Sequence, residues 1–349
     1  MHAPPKRNLP IPADTDQLRA IIGAYPPAQS VLDHRAATVD FAPVLNAFTH
    51  GPIGKVHDTI RLQPPSSGLT VNGREHDDNG ASLRAALMMS AAADRPELAL
   101  MCPPRALLRV VEPDAERFPR PWPVLVFVHG GGWITGSLNS YAELINAFAA
   151  RGLLTIAPAY RLAPEYIYPA AEIDVLHTVR WAQQHAAAFG GDPARLCLAG
   201  DSAGAQLVSG VITRLSRDSA AVDGCCDIRA AALFYPVADL RTLDTPELAG
   251  IARMRDWYLG QRAGDRGLIE SASPVMHATV MPPTALVAAG EDALRPQTLA
   301  LGAAMRAARV EHELIDVPSV PHGFLQCALW KETPGTLDRV CAFLHEASR

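Results

Sequence analysis

A serine set among small residues, Gly200-Asp201-Ser202-Ala203-Gly204, stands between an apolar run, Arg195-Leu196-Cys197-Leu198-Ala199, and a helix-like stretch from Ala205 to Ser216. Strand, sharp turn and helix in that order expose a serine hydroxyl as a nucleophile. The turn forces the serine into strained backbone angles, so its surroundings must be nearly free of side chains, which Gly200 and Gly204 provide. A helix starting just after Ser202 aims free N–H groups and its positive dipole end at the reacting atom.

A second segment supplies what such a nucleophile needs. His129-Gly130-Gly131-Gly132-Trp133 follows the strand-like Val124-Leu125-Val126-Phe127-Val128. Successive glycines let backbone N–H groups approach a substrate oxygen unobstructed. Acyl transfer through a tetrahedral intermediate turns the carbonyl oxygen into an anion that needs two or three donors. The loop can offer Gly131 and Gly132, and the serine turn Ala203; losing one such donor typically costs about 3 kcal/mol. A phosphate loop would end in Gly-Lys-Ser/Thr, where this chain has Gly132-Trp133-Ile134. The context for a dinucleotide-binding Gly-x-Gly-x-x-Gly with a downstream acid is weak.

The serine still requires an acid and a base, in the chain order Ser, Asp or Glu, His. After the turn the histidines are His277, His312, His322 and His345. His322 lies in Pro321-His322-Gly323-Phe324, directly after the strand-like Glu313-Leu314-Ile315-Asp316-Val317, where Gly323 permits a loop that exposes an imidazole. His312 and His345 read as ordinary solvated positions. The strand-like Thr284–Ala289 leads through Gly290 into Glu291-Asp292, and one of these two carboxylates should orient the imidazole. Chain order and the place after the strand favour Asp292 over a solvated loop charge.

Together with Tyr160-Arg161-Leu162-Ala163-Pro164-Glu165, Pro169-Ala170-Ala171 with Asp174, Gly190-Gly191-Asp192-Pro193, Ser273-Pro274 and Pro282-Pro283, these motifs span roughly residues 120 to 325. In that order the chain resembles the hormone-sensitive-lipase-like family of α/β-hydrolase esterases, the bacterial group carrying the His-Gly-Gly-Gly motif. The resemblance implies Ser202 as nucleophile, His322 as base and Asp292 as acid, with Gly131, Gly132 and Ala203 as the oxyanion hole. It also implies short- to medium-chain acyl esters as substrates. Two departures stand out. The acid is followed by Ala293-Leu294-Arg295-Pro296 rather than the family's Pro-Leu-Arg-Asp, and a stretch around residues 65 to 104 is expanded.

Other motif residues read as scaffold. His129 should hold its loop by hydrogen bonding, Arg161 and Glu165, opposite in charge and four apart, should brace a loop, and Asp201 should be a structural partner.

The elements that must position these groups alternate as in a mostly parallel sheet. Expected strands are residues 55–62, 106–112, 124–128, 153–158, 195–199, 230–235, 284–289 and 311–317, and expected helices 140–151, 170–189, 203–216, 296–308 and 336–346. The fold expected from the resemblance is an α/β hydrolase with an eight-stranded sheet flanked by helices and a helical cap. Residues 1 to 50, with Leu18, Ile21, Ile22, Val44, Leu45 and Phe48, would form the first cap segment and about 240–270, with Met254, Trp257 and Tyr258, the second; the catalytic domain is 51–349.

Composition agrees with an enzyme. A chain of 349 residues, 48% hydrophobic and 19% charged, can bury a large core. Its net charge of −5 argues against nucleic acid as a partner. No run approaches the ~18 apolar residues of a membrane span, and the start leads into Pro10 and Pro12 rather than an apolar signal core, so the expected location is cytoplasmic. The six cysteines lack metal-ligand spacing and read as free thiols. No metal or cofactor is expected; the partner is a small-molecule ester, and a homodimer stays open. The expectation is a serine carboxylesterase. An acyltransferase, lactonase or amide hydrolase would use the same groups, and an inactive ligand-binding protein of this fold would have no use for all three.

Overall fold

Apolar side chains on the central strands point alternately to two different helical layers. Val124, Val126 and Val128 belong to one buried cluster while Leu125 and Phe127 belong to another; Leu196 and Leu198 divide from Cys197 and Ala199 in the same way. The period of two along a strand produces this split. A sheet covered on both faces must be apolar on both, which is why these strands read as unbroken hydrophobic runs.

A computed structural model describes residues 7–25, 28–46, 51–61, 106–218 and 226–349. The expanded stretch at about 65–104 lies outside the described residues, as do Phe48, Leu62 and Cys225. The eight strands are β1 (Val56–Arg61), β2 (Leu107–Val111), β3 (Trp122–Val128), β4 (Leu154–Ala159), β5 (Gly191–Asp201), β6 (Ala230–Phe234), β7 (Thr284–Ala289) and β8 (His312–Val317). They form one sheet in the order β1-β2-β4-β3-β5-β6-β7-β8. β2 runs antiparallel to both β1 and β4, and every pairing from β4 to β8 is parallel.

Helices α1 (Thr15–Ala24) and α2 (Val31–Leu45) precede the sheet. Asp14 caps α1 by accepting the Gln17 N–H, and Ser30 with Asp33 forms a capping box on α2. Helices α3 (Ala142–Ala149), α4 (Ala170–His185), α5 (Ala203–Asp218), α6 (Ala249–Leu259), α7 (Arg266–Ser271), α8 (Arg295–Ala307) and α9 (Glu332–Ala347) follow. α3 and α9 pack on one face of the sheet; α4, α5 and α8 pack on the other. Among the described residues, no helix is long and apolar enough to cross a membrane.

The structure shifts several expected boundaries, two of them around Gly190. The helix expected over 170–189 ends at His185, continues as a tight 3-10 turn over Ala186–Phe189, and stops at Gly190 with φ of +81°. β5 then begins at Gly191, four residues early, because Trp122 and Gly191 pair at the start of the parallel ladder and Trp122 N–H donates to Gly190 O at 3.0 Å.

The expected brace between Arg161 and Glu165 is replaced by two separate pairs. Arg161 makes a two-pronged contact with Asp174 of α4, Nε to Oδ2 and Nη2 to Oδ1 both at 2.8 Å, and its backbone N–H donates to Oδ2 at 2.9 Å. Glu165 instead accepts from Arg35 of α2. A side chain thirteen positions on, buried beneath the loop, outcompetes the sequence neighbour because the loop does not continue as a helix. Asp174 is fully buried, so removing it leaves the Arg161 guanidinium charged with no carboxylate. Asp174→Ala is expected to lower unfolding free energy by about 3–5 kcal/mol, measured by urea denaturation; a loss below about 1 kcal/mol would show that the pair does not anchor α4.

Candidate active site

Ser202 has φ of +53°, in the left-handed region that a side chain rarely occupies. It is held there from both sides. Its N–H donates to Phe234 O at 2.9 Å, and its carbonyl accepts from Gln206 N–H at 3.3 Å and Val237 N–H at 3.4 Å. β3 presses so closely on the turn that a Cβ on Gly204 would overlap the Val128 carbonyl oxygen, and α5 follows β5 so tightly that one on Gly200 would lie 2.6 Å from the Gly204 carbonyl. These approaches explain both glycines of the motif.

The sequence-predicted residues come together. His322 Nε2 lies 2.9 Å from Ser202 Oγ, and His322 Nδ1 lies 2.6 Å from Asp292 Oδ2. Asp292 Oδ1 accepts the Leu294 N–H at 2.8 Å, fixing the carboxylate plane. The Asp292 side chain is 3% exposed, whereas that of His322 is 38% exposed and faces the cavity. The ring of Tyr235, itself at φ +36°, meets the imidazole edge-on with centroids 4.9 Å apart. Glu291 turns away to pair with Arg19 at 2.8 Å.

The glycine loop passes beside this trio. Gly131 and Gly132 have φ of +110° and +58° and line the cavity. Among the described residues, the backbone N–H groups of Gly131, Gly132 and Ala203 have no protein acceptor. His129 is buried, which pushes its pKa down to about 4, so the ring is neutral and donates from Nδ1 to Gly130 O at 2.8 Å.

The cavity measures about 430 Å³, in the range of small-molecule sites. Its walls include Leu18 and Ile22 of α1, Phe41 and Leu45 of α2, and Ile251 and Met254 of α6. Lining positions 34, 37, 38, 41 and 45 fall on one face of α2. Met254 approaches so closely that a Cβ on Gly132 would overlap its sulfur. Polar contacts dock the two flanking segments. Arg35 Nε donates to Ile134 O at 2.9 Å, and the Thr38 and Thr135 hydroxyls are 2.6 Å apart. Trp257 meets His34 edge-on, joining α6 to α2. Arg19 donates to Ser319 O at 3.2 Å in the His322 loop, and its guanidinium lies 4.7 Å from the centroid of Trp330, another cavity residue.

Sequence reasoning missed Tyr141, Tyr235, Gln326 and Trp330 as site residues, and it considered Glu291 as the alternative acid. Tyr235 directly follows β6, the strand next to β5, a usable signal. Arg19 and Glu291 are 272 positions apart, and no local pattern joins them.

A family model for the α/β hydrolase fold matches residues 125–326, more than half of the chain. Carboxylesterase NlhH of Mycobacterium tuberculosis is 34% identical over 221 residues, covering 59% of this chain and 68% of that protein. Ethyl acetate hydrolase of Pseudomonas putida is 32% identical over 215 residues, covering 58% and 66%. The hyperthermophilic esterase of Pyrobaculum calidifontis superposes with a TM-score of 0.74 over 98% of this chain and 100% of its own, at 21% identity, which shows the shared fold. The chain thus belongs to the α/β-hydrolase fold family, within its hormone-sensitive-lipase-like carboxylesterase group.

Asp201, next to the serine, is fully buried, and burial pushes its carboxyl from 3.8 up to about 6 although several groups donate to it. The unfolded chain gives up this proton first, so the folded state binds more protons between about pH 4 and about 6, and stability falls as pH rises through that window. The loss amounts to about 3 kcal/mol. Urea midpoints of Asp201→Asn should lack this fall, and an identical fall in the variant would assign it elsewhere.

Proposed function

We propose that this chain is a serine carboxylesterase that cleaves neutral, short- to medium-chain acyl esters through an acyl-enzyme. One observation carries the reading: Ser202, His322 and Asp292 form a continuous hydrogen-bonded relay beside unpaired backbone donors, at the wall of an apolar cavity.

In this reading His322 Nε2 removes the Ser202 Oγ proton as Oγ attacks the ester carbonyl. The developing oxyanion is held by the N–H groups of Gly131, Gly132 and Ala203, reinforced by the N-terminal dipole of α5. Asp292 accepts the Nδ1 proton, keeps the ring in the productive tautomer and stabilises its charged form. His322 then returns the proton to the departing alcohol. A water, activated by the same imidazole, attacks the acyl-enzyme, and collapse of the second intermediate releases the acid and restores Ser202.

α1 and α2 with the segment around α6 act as the two parts of a cap, whose apolar side chains exclude water from the intermediate. Among the described residues no Lys or Arg lines the cavity, which disfavours acyl groups bearing a carboxylate. Among the described residues, the thiols of Cys197, Cys327 and Cys341 form no disulfide, which agrees with a cytoplasmic location.

Ser202→Ala should abolish hydrolysis of p-nitrophenyl esters with an unchanged circular-dichroism spectrum, and an organophosphonate should label Ser202 alone. A stable adduct elsewhere, or near-native turnover of the variant, rejects the mechanism. Asp292→Asn keeps the shape but offers the imidazole the wrong partner, lowering kcat by about 10⁴-fold. Glu291→Gln breaks only a half-exposed ion pair and should change kcat by less than about threefold. The reverse ranking in stopped-flow assays would move the acid to Glu291.

A further inference from the structure

We propose that Asp201 is a positioning residue for oxyanion stabilisation: its carboxylate, one residue before the nucleophile, clamps Gly130 and so sets where the Gly131 and Gly132 N–H groups point. This rests on the serine-esterase reading of the site. Asp201 Oδ1 accepts the Gly130 N–H at 2.6 Å, and Oδ2 accepts the Tyr141 hydroxyl at 3.0 Å and a Gln326 N–H at 3.4 Å. Gln326 also donates to the Tyr141 oxygen at 2.8 Å, closing a small network between β5, α3 and the loop after His322. The fit is close: a Cβ on Gly130 would lie 2.8 Å from Asp201 Oδ2 and 3.1 Å from the Tyr141 oxygen.

The opposite end of Gly130 is held as well. Its carbonyl accepts from His129 Nδ1 at 2.8 Å and from the Tyr160 hydroxyl at 3.3 Å. That carbonyl shares a planar trans peptide with the Gly131 N–H, so the two point in opposite directions. Pinning Gly130 at its N–H and its carbonyl therefore aims the Gly131 N–H without any contact to it.

A carboxylate suits this place because three donors converge on it and it only accepts. The isosteric amide would turn an NH₂ group toward one of them. The titratable groups around it are His129 from the glycine loop, Tyr141 at the start of α3, Tyr160 after β4, Tyr235 after β6 and His322. The buried charge works against stability at neutral pH, so its place beside the nucleophile calls for a benefit in the reaction.

Asp201→Asn tests this in the full chain with p-nitrophenyl butyrate. Expected at pH 8 are a kcat lowered about 10- to 100-fold, a KM within about twofold, and a raised thermal midpoint. Tyr141→Phe, which removes one donor and keeps the carboxylate, should lower kcat by several-fold and provides a second readout if the first variant folds poorly. A kcat within twofold of the parent in the soluble variants overturns the positioning role, as does an Asp201→Asn variant whose thermal midpoint falls along with kcat. Phosphonate labelling of the unmodified protein separates the two levels. No label on Ser202 rejects the esterase reading itself, whereas a labelled Ser202 with an unaffected Asp201→Asn rejects the positioning role alone.

Discussion

The backbone turn at Ser202 is the constraint to which the rest of the site conforms. A non-glycine residue at φ +53° is unfavourable and persists only where its surroundings over-determine it. Here β6 accepts the serine N–H, two N–H groups meet its carbonyl, and β3 presses against Gly204. The turn points Oγ out of the sheet edge toward His322 while α5 starts beneath it. Strand order follows from the same need: β5 lies at the centre, between β3, which delivers the glycine loop, and β6, which delivers Tyr235 to the back of the imidazole.

Three of the buried carboxylates show how such a charge is held. Asp174 holds Arg161 by two parallel bonds and a backbone donor, tying α4 to the segment after β4. Asp292 meets an imidazole and a backbone N–H. Asp201 meets three uncharged donors, and burial holds its carboxyl above the usual carboxylate range. That buried carboxylate lies where the serine turn and the glycine loop touch.

The flanking helices attach to the catalytic loops mainly by arginines. Arg35 reaches the carbonyls of Ile134 and Ala163 together with Glu165, and Arg19 reaches Glu291, Ser319 and Trp330. A guanidinium with five donors can satisfy several loop carbonyls that would otherwise lack partners, which suits irregular backbone at a cavity rim. The apolar faces of α1 and α2 are left to form the cavity wall. Cavity shape therefore depends on how these helices sit, and Arg19 ties α1 to the loops that carry Asp292 and His322.

Residue type and spacing were sufficient for the strands, since burial on both faces demands continuous apolar runs, and for the serine turn, whose glycines answer a local steric demand. Chain order and strand position likewise singled out His322 and left Asp292 ahead of Glu291. The tertiary structure decided what depends on convergence of distant segments. The partner of Glu165 is Arg35 rather than Arg161, Glu291 is an anchor for α1 rather than a free charge, and Met254 lies against Gly132. Tyr141 and Gln326, 185 positions apart, meet at one carboxylate. Local sequence encodes backbone preference and which face is apolar, because those act over a few residues. Hydrogen-bond partners at a loop are chosen by which groups the packed sheet brings within 3 Å, and that selection exists only once the chain has folded.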